Sequence, residues 1–136
     1  MADERAFAVE VIAPDRVFYS GNAIMLELCT TEGEIGIYKD HLPVTAVIAP
    51  GIMRIREAEG TVKIAALHAG FVEILQDKVT VLAEIVEWPD EIDLNRANDA
   101  LLRAERRLKE SPVDTNLARA ELSIKKATVR IDAVKK

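Results

Sequence analysis

Cysteine and histidine are scarce in this chain, and their scarcity excludes several kinds of site. Cys29 is the only cysteine among 136 residues, so an internal disulfide is excluded and a reducing compartment is favoured. The two histidines, His41 and His68, are far apart in the sequence. No metal-ligand spacing, glycine-rich phosphate loop or nucleophile elbow is present. We therefore expect a protein that is not an enzyme and has no catalytic cofactor.

Long apolar runs and an excess of basic charge are also missing. No run approaches the roughly 20 residues that span a bilayer, and the N-terminal "MADERAFAVEV" lacks the apolar core of a signal peptide. Residues 1–90 hold 15 acidic and 7 basic side chains (−8), whereas residues 91–136 hold 8 and 11 (+3). The acidic larger part argues against a nucleic-acid partner. We expect a cytosolic chain whose two parts have different partners.

The apolar residues that are present repeat with two different periods. Up to about residue 88, short runs alternate with period two and are separated by turn signals such as "TEGE", "APG" and "QDK". This pattern predicts an antiparallel β-sandwich over residues 1–88. Pro89 marks the boundary, because proline cannot continue a central strand. Beyond it, apolar residues recur every three or four positions, which predicts an antiparallel α-helical hairpin over 89–136. The fold class is therefore α+β.

Two seams define the predicted hairpin. The first contains Leu94, Ala97, Leu101, Ala104 and Leu108, and the second contains Leu117, Ala120, Ile124, Ala127, Ile131 and Val134. "ESPVDT" breaks the pattern at Pro112 and offers Asp114 or Thr115 as a new cap. Because the seams are rich in alanine, little apolar area is buried, and we expect a marginally stable hairpin that a bound ligand would stabilise.

Structural roles explain the three residues that could carry nucleophilic or acid–base chemistry. His68 alternates with Val62, Ile64 and Ala66, which favours a hydrogen-bonded histidine in the core. His41 lies in the loop "YKDHLP", where a structural or interface role is the better interpretation. Cys29 ends a strand and has no basic neighbour that would lower its pKa.

The first predicted helix carries the more informative pattern. At 100° per residue, Asp93, Arg96, Ala97, Ala100 and Arg103 share about a third of its circumference. Guanidiniums beside small alanines form a platform suited to phosphate oxygens and a flat base. The alternative is that Asp93 caps the helix and pairs with Arg96, while the other arginines are solvated. Spacing alone favours this alternative.

The chain resembles the epsilon subunit of the bacterial rotary ATP synthase over nearly its full length. The resemblance is carried by "TTEGEIGIYKDHLPVTAVIAPGIMRI", "HAGFVEILQDKVTVLAE" and "IDLNRA", in the order and spacing of that family. The last resembles the family's nucleotide-binding signature of Ile or Leu, Asp, two variable residues, Arg and Ala. Two departures concern loop shape: Lys39-Asp40 replaces the usual Pro-Gly, and Ala69 replaces a glycine.

For the sandwich, the resemblance implies a non-catalytic rotor subunit that couples ion flow to ATP synthesis. The sandwich would bind the gamma subunit and rest on the ring of c subunits, with Glu34 to His41 as the ring-facing loop. The protein would be peripheral on the cytoplasmic face of a bacterial membrane, which it would meet only through the complex.

For the hairpin, the resemblance implies regulation of ATP hydrolysis. The folded hairpin permits hydrolysis, and the extended hairpin blocks it by reaching the catalytic alpha/beta head through the basic second helix. In some members ATP, alone or with Mg²⁺, binds the folded hairpin. The matching residues are Glu87, Ile92, Asp93, Arg96, Ala97, Arg103, Lys126 and Arg130. Lys126 stands where an arginine is expected, and this replacement would reduce affinity by removing a bidentate fork.

Two other functions remain as alternatives. A free-standing nucleotide-sensing module would use the same cleft without the gamma subunit. A small nucleotide hydrolase would need a base or a metal site, and the sequence supplies neither.

Overall fold

A computed structural model describes residues 4–110 and 117–135. Seven strands come first: β1 Phe7–Ala13, β2 Arg16–Thr30, β3 Gly33–Ile37, β4 Val44–Ile48, β5 Gly51–Glu57, β6 Val62–Ile74 and β7 Lys78–Glu87. A 3₁₀ turn, Pro89–Glu91, leads into helices α1, Leu94–Glu110, and α2, Leu117–Lys135. The predicted order of a β domain followed by two helices is confirmed.

Long strands join the two layers of the sandwich. β2 has 15 residues; its first part pairs with β1, and its second part pairs with β3 and β5. The apolar runs "RVFYS" and "AIMLELCT" predict two strands where the structure has β2, and "TVKIAAL" and "FVEIL" predict two where it has β6. Each pair of segments is one strand, because register shifts let the backbone bend while pairing continues. All strand pairings in the described chain are antiparallel except β1 with β7, which is parallel.

The core lies between the layers, and period two places most of its side chains. Phe7, Val9 and Val11 are buried, as their alternation predicts. In β7, Val79 and Val81 are also buried, but the inner face then shifts to Val86. The pairing steps from Gly70–Ala83 to Ala69–Ile85, so Glu84 is passed over and the side chains after it change faces. Strict alternation from Val79 and Val81 predicts Ile85 on the buried face, and this prediction is wrong because of the shift.

An alanine seam joins the two helices. Ala97 and Ala104 of α1 are buried, as are Ala120, Ala127 and Ile131 of α2. Leu117, which the prediction placed in this seam, is 53% exposed. The predicted break at Pro112 and the caps at Asp114 or Thr115 lie outside the described residues.

A second face of α2 docks on the sandwich. Val129 and Ala133 are buried against Ala66 of β6, with Ile52 and Ile92 at the edge of the cluster. Neither Val129 nor Ala133 belongs to the predicted seam. A helix that packs against both a helix and a sheet needs two apolar faces, and a single heptad pattern identifies only one.

Candidate functional site

The segment between sandwich and hairpin is anchored to β2. The Trp88 ring stacks on Phe18 at 4.1 Å between centroids, with 18° between the ring planes. The Glu91 carboxylate accepts hydrogen bonds from Arg16 Nη2 at 2.8 Å and from the Trp88 backbone N–H at 2.9 Å. These hydrogen bonds, that from Arg16 first, lower the pKa of Glu91. The 3₁₀ turn therefore presents a fixed starting point for the helices.

Asp93 determines where α1 begins. Its Oδ1 accepts a hydrogen bond from the Arg96 backbone N–H at 3.1 Å, which satisfies one of the free donors of the first turn. The capping role that the sequence suggested is thus present. No ion pair joins the Asp93 and Arg96 side chains within residues 4–110 and 117–135, so the Arg96 guanidinium remains open to solvent or a ligand.

A cleft of about 410 Å³ lies where the end of β7, the 3₁₀ turn and both helices meet. Its volume falls within the range of small-molecule sites. The cleft is lined by Glu87, Glu91, Ile92, Asp93, Arg96, Ala97, Ala100, Arg103 and Arg130. These include seven of the eight residues that the sequence predicted for a ligand. The fold therefore brings together side chains from three parts of the chain.

Lys126, the eighth predicted residue, does not line the cleft. It lies one turn before Arg130 on α2 and is half-buried. A longer side chain with a planar fork would reach further from this position than an ammonium does.

The charged side chains of the cleft that form no ion pair in the described chain are two arginines, Arg96 and Arg103, and one carboxylate, Asp93. The carboxylates of Glu87 and Glu91 already accept hydrogen bonds from Arg130 and Arg16. Arg96 and Arg103 are exposed, and no acidic side chain of the described chain forms an ion pair with either. Two guanidiniums are thus free to meet an anion, with Ala97 between them on α1.

Glu87 connects the cleft to the sandwich and to α2. Its Oε1 accepts hydrogen bonds from Arg130 Nε at 2.7 Å and from His68 Nε2 at 3.0 Å. Burial raises the pKa of Glu87, but the hydrogen bonds from His68 and Arg130 outweigh burial, so the pKa lies below its ordinary value. Glu87 is therefore an ionised carboxylate that ties α2 to the sheet.

His68 was predicted as a satisfied core histidine, and the structure alters that prediction. Its ring is buried, but it lies at the interface with the hairpin and bonds to a cleft residue. Its Nδ1 is buried and has no hydrogen-bond partner in the part of the chain described. The link to Glu87 could not be seen in the sequence, because it depends on a register shift in β6.

Glu34 and His41, the residues predicted to face the c-ring, lie away from this cleft. Glu34 is exposed in β3, opposite Cys29. His41 follows β3, and its Nδ1 donates a hydrogen bond to the Leu42 carbonyl at 2.9 Å. Leu42 beside it is 80% exposed, which gives this loop an apolar tip.

The remaining candidates for catalysis gain no support. Burial raises the pKa of the Cys29 thiol, with Glu34 adding to the effect, so the reactive thiolate is disfavoured. Among the residues that the structure describes, no group of three His, Cys, Asp or Glu side chains could hold a metal ion.

Within the same residues, neither helix is long and apolar enough to cross a membrane.

Comparisons with known proteins agree with the division into two parts. Residues 6–89 match the ATP synthase delta/epsilon chain β-sandwich domain, and residues 90–135 match the long α-helix domain of the same chains. The chain is 42% identical over 125 residues to the ATP synthase epsilon chain of Halalkalibacterium halodurans, covering 91% of this chain and 93% of that one. It is 39% identical over 134 residues to the epsilon chain of Caldanaerobacter subterraneus subsp. tengcongensis, covering 98% and 96%.

The fold is also similar to a chain in a solved assembly. A chain of the Euglena gracilis mitochondrial ATP synthase, in a structure with OSCP, F1 and the c-ring, superposes with a TM-score of 0.84. The match covers 100% of this chain and 85% of that chain at 18% identity. At that identity the likeness concerns the fold.

Proposed function

The chain belongs to the ATP synthase delta/epsilon family, whose epsilon chains are non-catalytic subunits, and from this premise we propose a regulatory rotor subunit whose folded hairpin binds ATP. The sandwich would bind the gamma subunit and the c-ring in the central stalk. The hairpin would inhibit ATP hydrolysis when it extends toward the catalytic head. The whole would lie on the cytoplasmic face of a bacterial membrane and would meet that membrane only through the complex.

The observation that carries the nucleotide site is the convergence of distant residues on one cleft. Glu87 and Arg130 are 43 positions apart, yet they form a hydrogen bond at its base. Arg96 and Arg103 lie on its α1 side without acidic partners in the described chain. Guanidiniums donate in a planar fork that matches phosphate oxygens. Small side chains at Ala97 and Ala100 leave room for a flat base against α1.

Mg²⁺ would have to arrive with the nucleotide. The described residues contain no group of three carboxylates or other ligands that could hold a metal ion. Mg²⁺ is commonly bound through nucleotide phosphates with several waters and only one or two carboxylates. Asp93 lines the cleft and is the carboxylate without a cationic partner there, so it would be the available protein oxygen donor.

A ligand in this cleft could control whether the hairpin is docked or extended, because few residues join the hairpin to the sandwich. α2 docks through Val129 and Ala133 on Ala66 and through the Arg130–Glu87 ion pair. A ligand that binds only the docked form stabilises it by about 2.7 kcal/mol at a concentration 100 times its Kd. With so few docking contacts, a stabilisation of this size could shift the equilibrium between the docked and the extended hairpin.

The proposed contact with the c-ring rests on the chemistry of β3 and of the loop that follows it. Glu34 supplies a charge at one end of the segment, and Leu42 supplies an exposed apolar side chain just beyond His41. A mixed polar and apolar tip suits docking against polar loops at a membrane surface. Crosslinking from a cysteine placed at residue 42 to c subunits in the assembled complex would test this part of the proposal.

Calorimetric titration with MgATP tests the nucleotide site. Wild type should bind in the micromolar to millimolar range, and Arg103→Ala should weaken binding about tenfold or more, since it removes a charged hydrogen-bond donor. Arg106→Ala is the matched control, because Arg106 is exposed on the same helix but does not line the cleft. Equal affinities for the two variants would reject the site, as would no binding to wild type at millimolar MgATP.

A further inference from the structure

His68 is buried beneath the hairpin, although it belongs to the sandwich. Its side chain has 0% exposure. It lies in β6 two positions after Ala66, which packs against Val129 and Ala133 of α2. The pairing of β6 with β7 steps from Leu67–Val86 to Ala69–Ile85, so His68 has no partner in the ladder. Bulges of this kind change the direction of a side chain.

The redirected ring meets the carboxylate that holds Arg130. His68 Nε2 lies 3.0 Å from Glu87 Oε1, and Arg130 Nε lies 2.7 Å from the same oxygen. Because the ionised carboxylate can only accept, Nε2 must carry the proton. One oxygen therefore receives two donors from opposite sides, one from the sandwich and one from α2.

The other ring nitrogen shows that this arrangement has a cost. His68 Nδ1 is buried and has no partner within the described residues. A buried polar atom without a partner destabilises the folded state, because it has lost its hydrogen bonds to water. An apolar side chain of similar size would fill the same space without that cost. The hydrogen bond to Glu87 is thus the feature that a histidine supplies here and a hydrophobic residue would not.

The contact with Glu87 fixes the position of the Arg130 side chain. Its guanidinium has five N–H donors, and Glu87 uses the one on Nε. The four on the terminal nitrogens remain for a ligand in the cleft that Arg130 lines. If Glu87 could rotate freely, Arg130 would lose the contact that fixes its long side chain, and its donors would be less well placed.

We propose that His68 is a positioning residue for the anion-binding cleft: by fixing Glu87 it holds Arg130 in the geometry that receives the phosphates of the nucleotide. This inference rests on the proposed function of the cleft. His68 touches no ligand and acts only through Glu87, so its contribution concerns affinity and the order of Arg130.

Two substitutions separate hydrogen bonding from packing. His68→Met fills a similar volume without a donor, whereas His68→Gln retains an N–H at about the reach of Nε2. MgATP affinity should fall about tenfold in His68→Met, the loss expected for a hydrogen bond to a charged group. Most of it should be restored in His68→Gln. If His68→Met does not fold, as judged by its thermal transition, His68→Asn serves as the second variant, because its shorter amide cannot reach Glu87.

A readout without ATP keeps the inference distinguishable from the proposed function. In protein with ¹⁵N-labelled arginine, the Arg130 Nε–H signal is assigned as the one that Arg130→Lys removes. It should exchange slowly with water in wild type and His68→Gln, and rapidly in His68→Met. If wild type binds no ATP but this pattern holds, the nucleotide assignment fails and the positioning of Arg130 stands.

Two outcomes would overturn the role of His68. One is an unchanged Arg130 signal and unchanged MgATP affinity in His68→Met. The other is an equal loss in His68→Gln and His68→Met, which would mean that ring packing, and not the donor, is what matters.

Discussion

Replacing Glu87 with glutamine is expected to loosen the hairpin without unfolding the sandwich. Glu87 lies at the last position of β7, and its Oε1 accepts from Arg130 on α2 and His68 on β6. Glutamine has nearly the same shape but no charge, and one of its two terminal groups is a donor. The substitution therefore removes the charge-assisted part of both hydrogen bonds and leaves the packing in place.

The size of the effect follows from the nature of these contacts. Hydrogen bonds to charged groups contribute about 1.5–3 kcal/mol each, against about 1 kcal/mol for neutral ones. Since glutamine keeps one acceptor, the loss in the free energy of docking should be about 1–3 kcal/mol. That corresponds to a decrease of about 5-fold to 150-fold in the docking equilibrium.

Acidification should have the same effect as the substitution. The pKa of Glu87 lies below its ordinary value of 4.5 in the folded protein, so the docked form binds the proton more weakly than the undocked form. The stabilisation is complete above pH 4.5 and is lost as the pH falls through the lower, folded value. In Glu87→Gln this part of the pH dependence should disappear.

Amide hydrogen exchange measures the docking directly. Protection of the α2 amides should fall about fivefold or more in Glu87→Gln, whereas the amides of β1 and β3 should be unaffected. Glu84→Gln is the matched control, because Glu84 is exposed on the same strand. Equal protection in wild type and Glu87→Gln, or an equal loss in Glu84→Gln, would refute the argument.

Three further predictions concern the anchored 3₁₀ turn, a strained backbone position and the role of the helices. Phe18→Ala should lower the free energy of unfolding by about 3 kcal/mol. It should also expose Trp88, the only tryptophan, and shift its fluorescence to the red; an unshifted spectrum would contradict the stacking of the two rings. Gly70→Ala should destabilise by about 3 kcal/mol or more in a denaturant titration, because Gly70 has φ +138° and its new Cβ would overlap the Leu82 carbonyl. Gly36→Ala is the control, because its new Cβ would make only an ordinary van der Waals contact with Tyr38. Removing residues from 92 onward should leave assembly with gamma intact and raise the ATPase activity of the complex, and loss of assembly would count against separate roles for the two parts.

Sequence patterns located the two parts of the fold because each period corresponds to one kind of surface. Alternation identified Val9 and Val79 as core, and the three-and-four spacing identified Ala97 and Ala104 as the helix seam. The same patterns missed Val129 and Ala133, since a docking face on a second side of a helix does not repeat with the seam. They also divided β2 in two, because continuity through a bend depends on pairing partners that lie elsewhere in the chain.

The residues of the candidate cleft were predicted in two ways, from helical spacing and from the family resemblance. Helical spacing placed Asp93, Arg96 and Arg103 on one side of α1, and the structure shows them lining one cleft. Arg130 was a candidate from the positive charge of the second helix, whereas Glu87 entered only through the resemblance, since nothing in its local sequence links β7 to α2. His68 was assigned to the core, because a register shift cannot be read from alternation alone.

The anchored 3₁₀ turn fixes which face of α1 points into the cleft. With Trp88 stacked on Phe18 and Glu91 bound to Arg16, the chain is fixed up to Glu91, and α1 starts at Leu94. Only Ile92 and Asp93 lie between these points, and each contributes two soft dihedral angles. One residue inserted into the first turn of α1 would rotate the helix that follows by about 100° about its axis, relative to this anchored turn. Arg103 would then leave the cleft on an otherwise intact helix, so the number of residues between the anchor and Arg103 is as specific as any side chain in the site.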